Sequence, residues 1–157
     1  MRLALFQPDI PQNLGAALRL GACLDVAVDV IEPCAFPLSN KSLKRAALDY
    51  GSLCETRQHA GWTDFLAVPE RFDGRLVLFT TRASQPFQEF TFEPGDTLLF
   101  GQESAGAPDH VHAAAQARLF IPIAPRARSL NVVTAAAMAL GVALTQSHGF
   151  PSREFLV

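Results

Sequence analysis

The sequence is poor in the residues that would staple, coat or anchor a small protein. Its three cysteines, Cys23, Cys34 and Cys54, form no C-x-x-C pair. An odd number of unpaired thiols fits a reducing compartment better than a disulfide framework or a zinc knuckle. Lysine is nearly missing, with two lysines against eleven arginines, so anion contacts would rest on planar, bidentate guanidinium groups. A net charge of −2 excludes a generic polycation, and 49% hydrophobic residues exclude disorder. Long apolar runs are also lacking: Met1 to Pro8 is too short for a signal peptide, and Val132 to Leu144 is Ala-rich and interrupted by Thr134. The expectation is a cytoplasmic protein without a membrane segment.

Several site signatures are missing as well. There is no G-x-G-x-x-G, no G-x-S-x-G and no H-E-x-x-H, which removes the commonest dehydrogenase, hydrolase and metalloprotease readings. Asp9 stands alone after the first apolar run, without the clustered acids of a receiver domain. His110 and His112 are two apart and so point to different faces of a helix, while His59 and His148 have no carboxylate or cysteine at ligand spacing. No metal site is expected.

What is present is alternation. Apolar runs predict strands at Arg2–Phe6, Val26–Ile31, Arg75–Thr80, Thr97–Phe100 and Arg118–Ile123, with a weaker one at Leu53–Thr56. Helical stretches fall at Leu14–Leu24, Ser42–Tyr50, Thr63–Ala67, Asp109–Ala117 and Val132–Gln146. Asn13, Asn40 and Ser129 or Asn131 are candidate N-caps, and Gly51 and Gly149 candidate left-handed helix ends. Ser84 to Gly95 reads as a long connection or a short edge element. With 157 residues and no linker or repeat, the chain predicts one domain over residues 1–157, an α/β fold with a mainly parallel sheet and helices on both faces. Ligands of such sheets bind beyond the strands' carboxyl ends, here the loops after Phe6, Thr80, Phe100 and Ile123.

Those loops carry the chemistry-bearing residues. Arg19 follows Gly15 by four residues and Ala16 by three, which leaves space around its guanidinium; it is either an anion ligand or an ordinary helix cation. Gly101 and Gly106 bracket a polar turn, where backbone must approach a ligand closely. Ala107 and Pro108 stand where a P-loop needs Lys and Ser/Thr, so nucleotide hydrolysis is excluded. Arg126 and Arg128 lie at the same sheet edge. Lys41, Lys44 and Arg45 form either a solvated helix face or phosphate contacts.

In order along the chain stand Asn13-x-Gly15-x-x-x-Arg19, Phe100-Gly101-x-Glu103-x-x-Gly106-x-Pro108, and Ile121-Pro122 followed by Ser129-Leu130-Asn131-Val132. This combination resembles the SPOUT superfamily of RNA methyltransferases. The match extends through Glu32-Pro33, Lys44-Arg45-Ala46-x-Leu48-Asp49-Tyr50 and Thr80-Thr81, and it points to a minimal subfamily acting on the ribose 2′-hydroxyl of the tRNA wobble nucleotide, cytidine or uridine. The resemblance implies a deep C-terminal trefoil knot, a homodimer, and S-adenosyl-L-methionine as cofactor. It assigns the cofactor to Phe79, Gly101, Ile121, Ser129 and Leu130, and catalysis to Arg19 with Asn13 and Glu103 in support. tRNA contacts would come from Arg126, Arg128, Lys44 and Arg45. The competing readings are a non-catalytic RNA- or nucleotide-binding module, a methyltransferase for another tRNA or rRNA position, and a flavodoxin-like small-ligand domain.

Overall fold

The computed structural model describes residues 1–38, 53–69 and 73–152. Seven strands form one sheet in the order β3-β2-β1-β6-β4-β7-β5. They are β1 (Arg2–Phe6), β2 (Ala27–Ile31), β3 (Thr56–His59), β4 (Leu76–Phe79), β5 (Gln85–Pro86), β6 (Thr97–Phe100) and β7 (Ala117–Phe120). Every pairing is parallel, and the register sets Leu5 beside Val30 on one side and Phe100 on the other. The inner strands LALF, TLLF and LVLF are apolar at successive positions because both faces are covered.

One face carries α1 (Pro11–Leu24) and α4 (Val132–Gln146), whose Leu14, Leu18, Leu140 and Leu144 pack on Leu3, Val30 and Leu98. The other carries the short helices α2 (Trp62–Leu66) and α3 (Asp109–Ala114), which bury Phe65 and Val111 against Phe6, Ile31 and Leu78. This is the expected two-sided α/β arrangement. No helix among the described residues is long and apolar enough to cross a membrane.

Three local expectations are corrected. The weak strand at Leu53–Thr56 lies instead at Thr56–His59, where pairing with β2 overrides a polar sequence. Helix α1 starts at Pro11, with Ile10 as its cap residue and no side-chain cap bond; proline fits the first helical position because its missing N–H is an orphan there anyway. Asn13 is therefore inside the helix and its side chain is released for other bonds. At the end of α4 the left-handed residue is His148 (φ 51°), one before Gly149. Of the two candidate caps of α4, Asn131 fills the role: its Oδ1 accepts from the amides of Val133 and Thr134.

Strands Arg2–Phe6 and Thr97–Phe100 and helix Val132–Gln146 fall where the patterns place them, and Ser84–Gly95 supplies the two-residue edge strand β5 and a 3₁₀ turn at Phe87–Glu89. The stretches at Asn40 and Gly51, the helix at Ser42–Tyr50 and the cations Lys41, Lys44 and Arg45 lie outside the described residues.

Candidate active site

The loops leaving β1, β4, β6 and β7 converge on one cavity of about 590 Å³ at the carboxyl edge of the sheet. Its lining takes in Asn13 from α1, Phe79 with Thr80 to Arg82 after β4, the whole Gly101–Ala107 turn, Ile121 and Ile123 after β7, and Ser129 to Val132 at the start of α4. Phe79 and Phe100 stack with centroids 4.9 Å apart and form an apolar wall.

The glycine turn is folded back on itself. Gln102 and Gly106 exchange both backbone hydrogen bonds, at 3.1 and 2.9 Å. Gly106 has φ 70°, a left-handed conformation that favours glycine. A Cβ on Gly101 would lie 2.4 Å from the Gly106 carbonyl carbon, so this position tolerates no side chain.

Polar side chains tie three loops together. Glu103 Oε1 accepts from Asn13 Nδ2 at 3.0 Å, and Oε2 accepts from the backbone N–H of Asp9, also at 3.0 Å. Asn13 Oδ1 in turn accepts from Asn131 Nδ2 at 2.9 Å. Residues about 90 and 118 positions apart in the chain are thus linked through amides that take no part in any helix or strand ladder. Asp9 Oδ2 accepts from the backbone N–H of Ser104 at 3.3 Å and from its hydroxyl. Hydrogen bonding with the Glu103 side chain and with Ser104 holds the Asp9 carboxyl below its ordinary pKa.

Of the residues the sequence singles out, Asn13, Phe79, Gly101, Glu103, Ile121, Ser129 and Leu130 all line the cavity. Arg19 does not: it is exposed on α1, about 9 Å along the helix axis beyond Asn13. Arg126 and Arg128 are exposed on the segment joining β7 to α4, outside the lining. Thr81, named in the sequence only as part of the matching Thr80-Thr81 pair, also lines the cavity, as do Arg82 and His112, which sequence reasoning did not assign to a site. Burial, with Arg82 and Arg118 nearby and Asp109 opposing, lowers the pKa of His112, so it faces the cavity neutral at pH 7. Asp9 was legible only as a solitary acid after β1; its partner Ser104 is 95 residues away.

The cysteines are free: Cys23 is exposed, Cys34 half-buried and Cys54 buried. Burial, reinforced by Glu32 and Glu103, pushes the Cys34 thiol up to about 11, which leaves it un-ionised at neutral pH and a poor nucleophile. His59, which has no carboxylate at ligand spacing along the chain, places Nε2 2.7 Å from Asp29 Oδ1 in the fold, because parallel pairing brings β2 and β3 side by side. Among the described residues no group of three or more His, Cys, Asp or Glu could hold a metal ion.

Comparison with known proteins agrees with this geometry. The SpoU rRNA methylase family model matches residues 1–141. A tRNA (cytidine(34)-2′-O)-methyltransferase of Beijerinckia indica is 54% identical over 144 residues, covering 92% of this chain and 90% of the relative. A structure solved for insight into 2-OH methylation of C/U34 on tRNA superposes with a TM-score of 0.84 at 40% identity, covering 92% of this chain and 94% of that one. An AdoMet-bound rRNA methyltransferase from Sinorhizobium meliloti, 25% identical, gives a TM-score of 0.79 over 92% of this chain and 55% of its own.

Proposed function

The chain belongs to the SpoU rRNA methylase family, and on that premise we propose that it transfers a methyl group from S-adenosylmethionine to the ribose 2′-hydroxyl of tRNA nucleotide 34, a cytidine or modified uridine. The observation that carries this is the 54% identity to a cytidine-34 enzyme over 92% of the chain. The convergence of the three motif loops on one cavity supports it independently.

The residues present fit the cofactor. A cavity of about 590 Å³ is in the range of small-molecule sites. Its stacked phenylalanines offer an apolar wall, and the side-chain-free approach of Gly101 to Gly106 exposes backbone groups to a ligand. Phe79, Gly101, Ile121, Ser129 and Leu130 would hold it. When bound, S-adenosylmethionine supplies an electrophilic methyl group on a sulfonium.

The protein's own task is then to align a hydroxyl and accommodate the charge left as its proton departs. Alignment alone is worth several kcal/mol of barrier. Arg19 is the group proposed to meet the ribose: a guanidinium is a poor base, so it anchors the adjoining phosphate and stabilises developing alkoxide. Asn13 and Glu103, locked to each other, fix the cavity rim from which α1 projects. Arg126 and Arg128, with Lys44 and Arg45, are assigned to tRNA phosphates, which makes binding weaken as salt rises.

Arg19 stands outside the lining of its own cavity, and this favours a homodimer in which surfaces of two copies meet the tRNA. Helix α4 agrees with that assembly, since it leaves Met138 42% exposed and presents almost no polar face. The deep trefoil knot, action as a single domain over residues 1–157 and a cytoplasmic location complete the proposal.

The test is to incubate purified protein with labelled S-adenosylmethionine and bulk tRNA and to map the product by mass spectrometry. Label at the 2′-oxygen of nucleotide 34 is expected. Cofactor binding with no methylation of any tRNA would favour the non-catalytic module, and label at another position would move the substrate.

A further inference from the structure

Asp9 belongs to none of the roles above, yet it sits where the β1–α1 loop meets the glycine turn. The two loops exchange bonds reciprocally: the Asp9 N–H donates to Glu103 Oε2 at 3.0 Å, and Asp9 Oδ2 accepts from the N–H of Ser104 at 3.3 Å and from its hydroxyl. Glu103 and Ser104 are adjacent, and both line the cavity, whereas Asp9 does not. Asp9 therefore holds two cavity residues at once, Ser104 through its carboxylate and Glu103 through its backbone N–H.

A further observation separates this arrangement from ordinary loop bracing. Asp9 Oδ1 is enclosed and has no hydrogen-bond partner. An enclosed, unpaired carboxylate oxygen works against stability. An asparagine would hold Ser104 through its amide oxygen without burying part of a charge. The depressed pKa keeps Asp9 ionised across the neutral range, so the contact to Ser104 is charge-assisted and correspondingly firm.

From this geometry we infer that Asp9 is a positioning residue, holding the Gly101–Ala107 turn and the Glu103 carboxylate in the arrangement that receives the cofactor. The inference rests on the methyltransferase reading of the same cavity. It acts through Ser104 and Glu103, with no contact between Asp9 and the ligand itself.

The experiment compares wild type, Asp9→Ala, Asp9→Asn, Ser104→Ala and the double Asp9→Ala/Ser104→Ala by two measurements. The first is calorimetric affinity for S-adenosylhomocysteine; the second is amide hydrogen exchange in the protein without ligand. Asp9→Ala is expected to weaken affinity about tenfold and Ser104→Ala about threefold, in the range of a lost charge-assisted hydrogen bond. The double variant should be no worse than Asp9→Ala, since both remove one contact. Asp9→Asn, which keeps an acceptor for Ser104 but loses the charge, should recover part of the affinity. The amides of Ser104 and Gly106 should exchange about tenfold faster in Asp9→Ala, with those of β6 unchanged, which distinguishes a loosened turn from a destabilised fold.

Additive losses in the double variant, or β6 amides accelerating together with the turn, overturn the inference. So does wild-type affinity in Asp9→Ala. A wild type that does not bind S-adenosylhomocysteine overturns the reading beneath it, a result that none of the variants is needed to recognise.

Discussion

Where the strands begin, arginines and carboxylates are used up on one another. Arg2 makes a two-pronged contact with buried Asp29 at 2.6 and 3.1 Å and reaches Glu55 at 3.1 Å, while His59, the last residue of β3, reaches the same Asp29 from the other side. Arg75 clasps buried Asp96 at 2.8 and 2.7 Å, and its guanidinium lies over the Phe90 ring. Where the strands finish, the carboxylates of Asp9 and Glu103 hold backbone and side-chain amides, and Arg19, Arg126 and Arg128 face outward. The same residue types therefore serve two ends differently. At the first, closed end buried carboxylates are covered by arginine; at the second, open end the cations are solvent-facing, where an anion can reach them. With a net charge of −2, where the arginines stand rather than their total decides what an incoming phosphate would meet.

Substitution can break that contrast most severely at the open end. Arg19→Ala is expected to lower methyl transfer about 10²- to 10³-fold, leaving S-adenosylhomocysteine affinity and the thermal midpoint near wild type; a fully active variant removes Arg19 from catalysis. At the closed end Asp29→Ala should do the reverse. It strands a largely buried Arg2 and His59 at a cost of about 3 kcal/mol in urea unfolding, while turnover per folded molecule is unchanged. A drop in turnover without loss of stability would erase the distinction between the two ends.

Smaller changes sharpen it. Gly101→Ala forces a Cβ to 2.4 Å from backbone and should cost about 2 kcal/mol, with cofactor binding lost before global unfolding in a denaturant series. Acid should act on the open end late. The Asp9 pKa is lowered from 3.8 in the folded state, so its contribution is present above that value and disappears as pH falls through the lower folded one. Exchange of the Ser104 amide, corrected for intrinsic rate, should show no extra loss of protection between pH 7 and 5. The mildest probe is thiol alkylation at pH 8: exposed Cys23 should react first, and Cys34 should gain reactivity only as pH climbs toward about 11.

How much of this was legible follows from what each element depends on. Helix α4 and strand β6 are set by local pattern and lie where that pattern places them. Strand β3, reading Thr-Arg-Gln-His, has no apolar period, and its position comes from β2, whose Asp29 receives His59 from 30 residues away. Asn13 misled for a related reason. Its residue type suits a cap, but Pro11 opens the helix and the Asn13 amide goes to Glu103. Most motif residues pointed to the cavity because they line it; Arg19 does not. Asp9, His112 and Arg82 escaped because their roles arise only from long-range neighbours.

The central pairing of β1 also has a consequence for how the protein is made. Arg2 pairs in register with Ala27 and with Thr97. One side of β1 can be satisfied almost as soon as it emerges, but the other waits for residues 97 to 100. At roughly 5–20 residues per second of synthesis, the bare edge persists for roughly 5–20 seconds. During that interval the nascent chain shows its surroundings an unpaired strand edge, apolar from Leu3 to Phe6, a natural point for a holding chaperone to act.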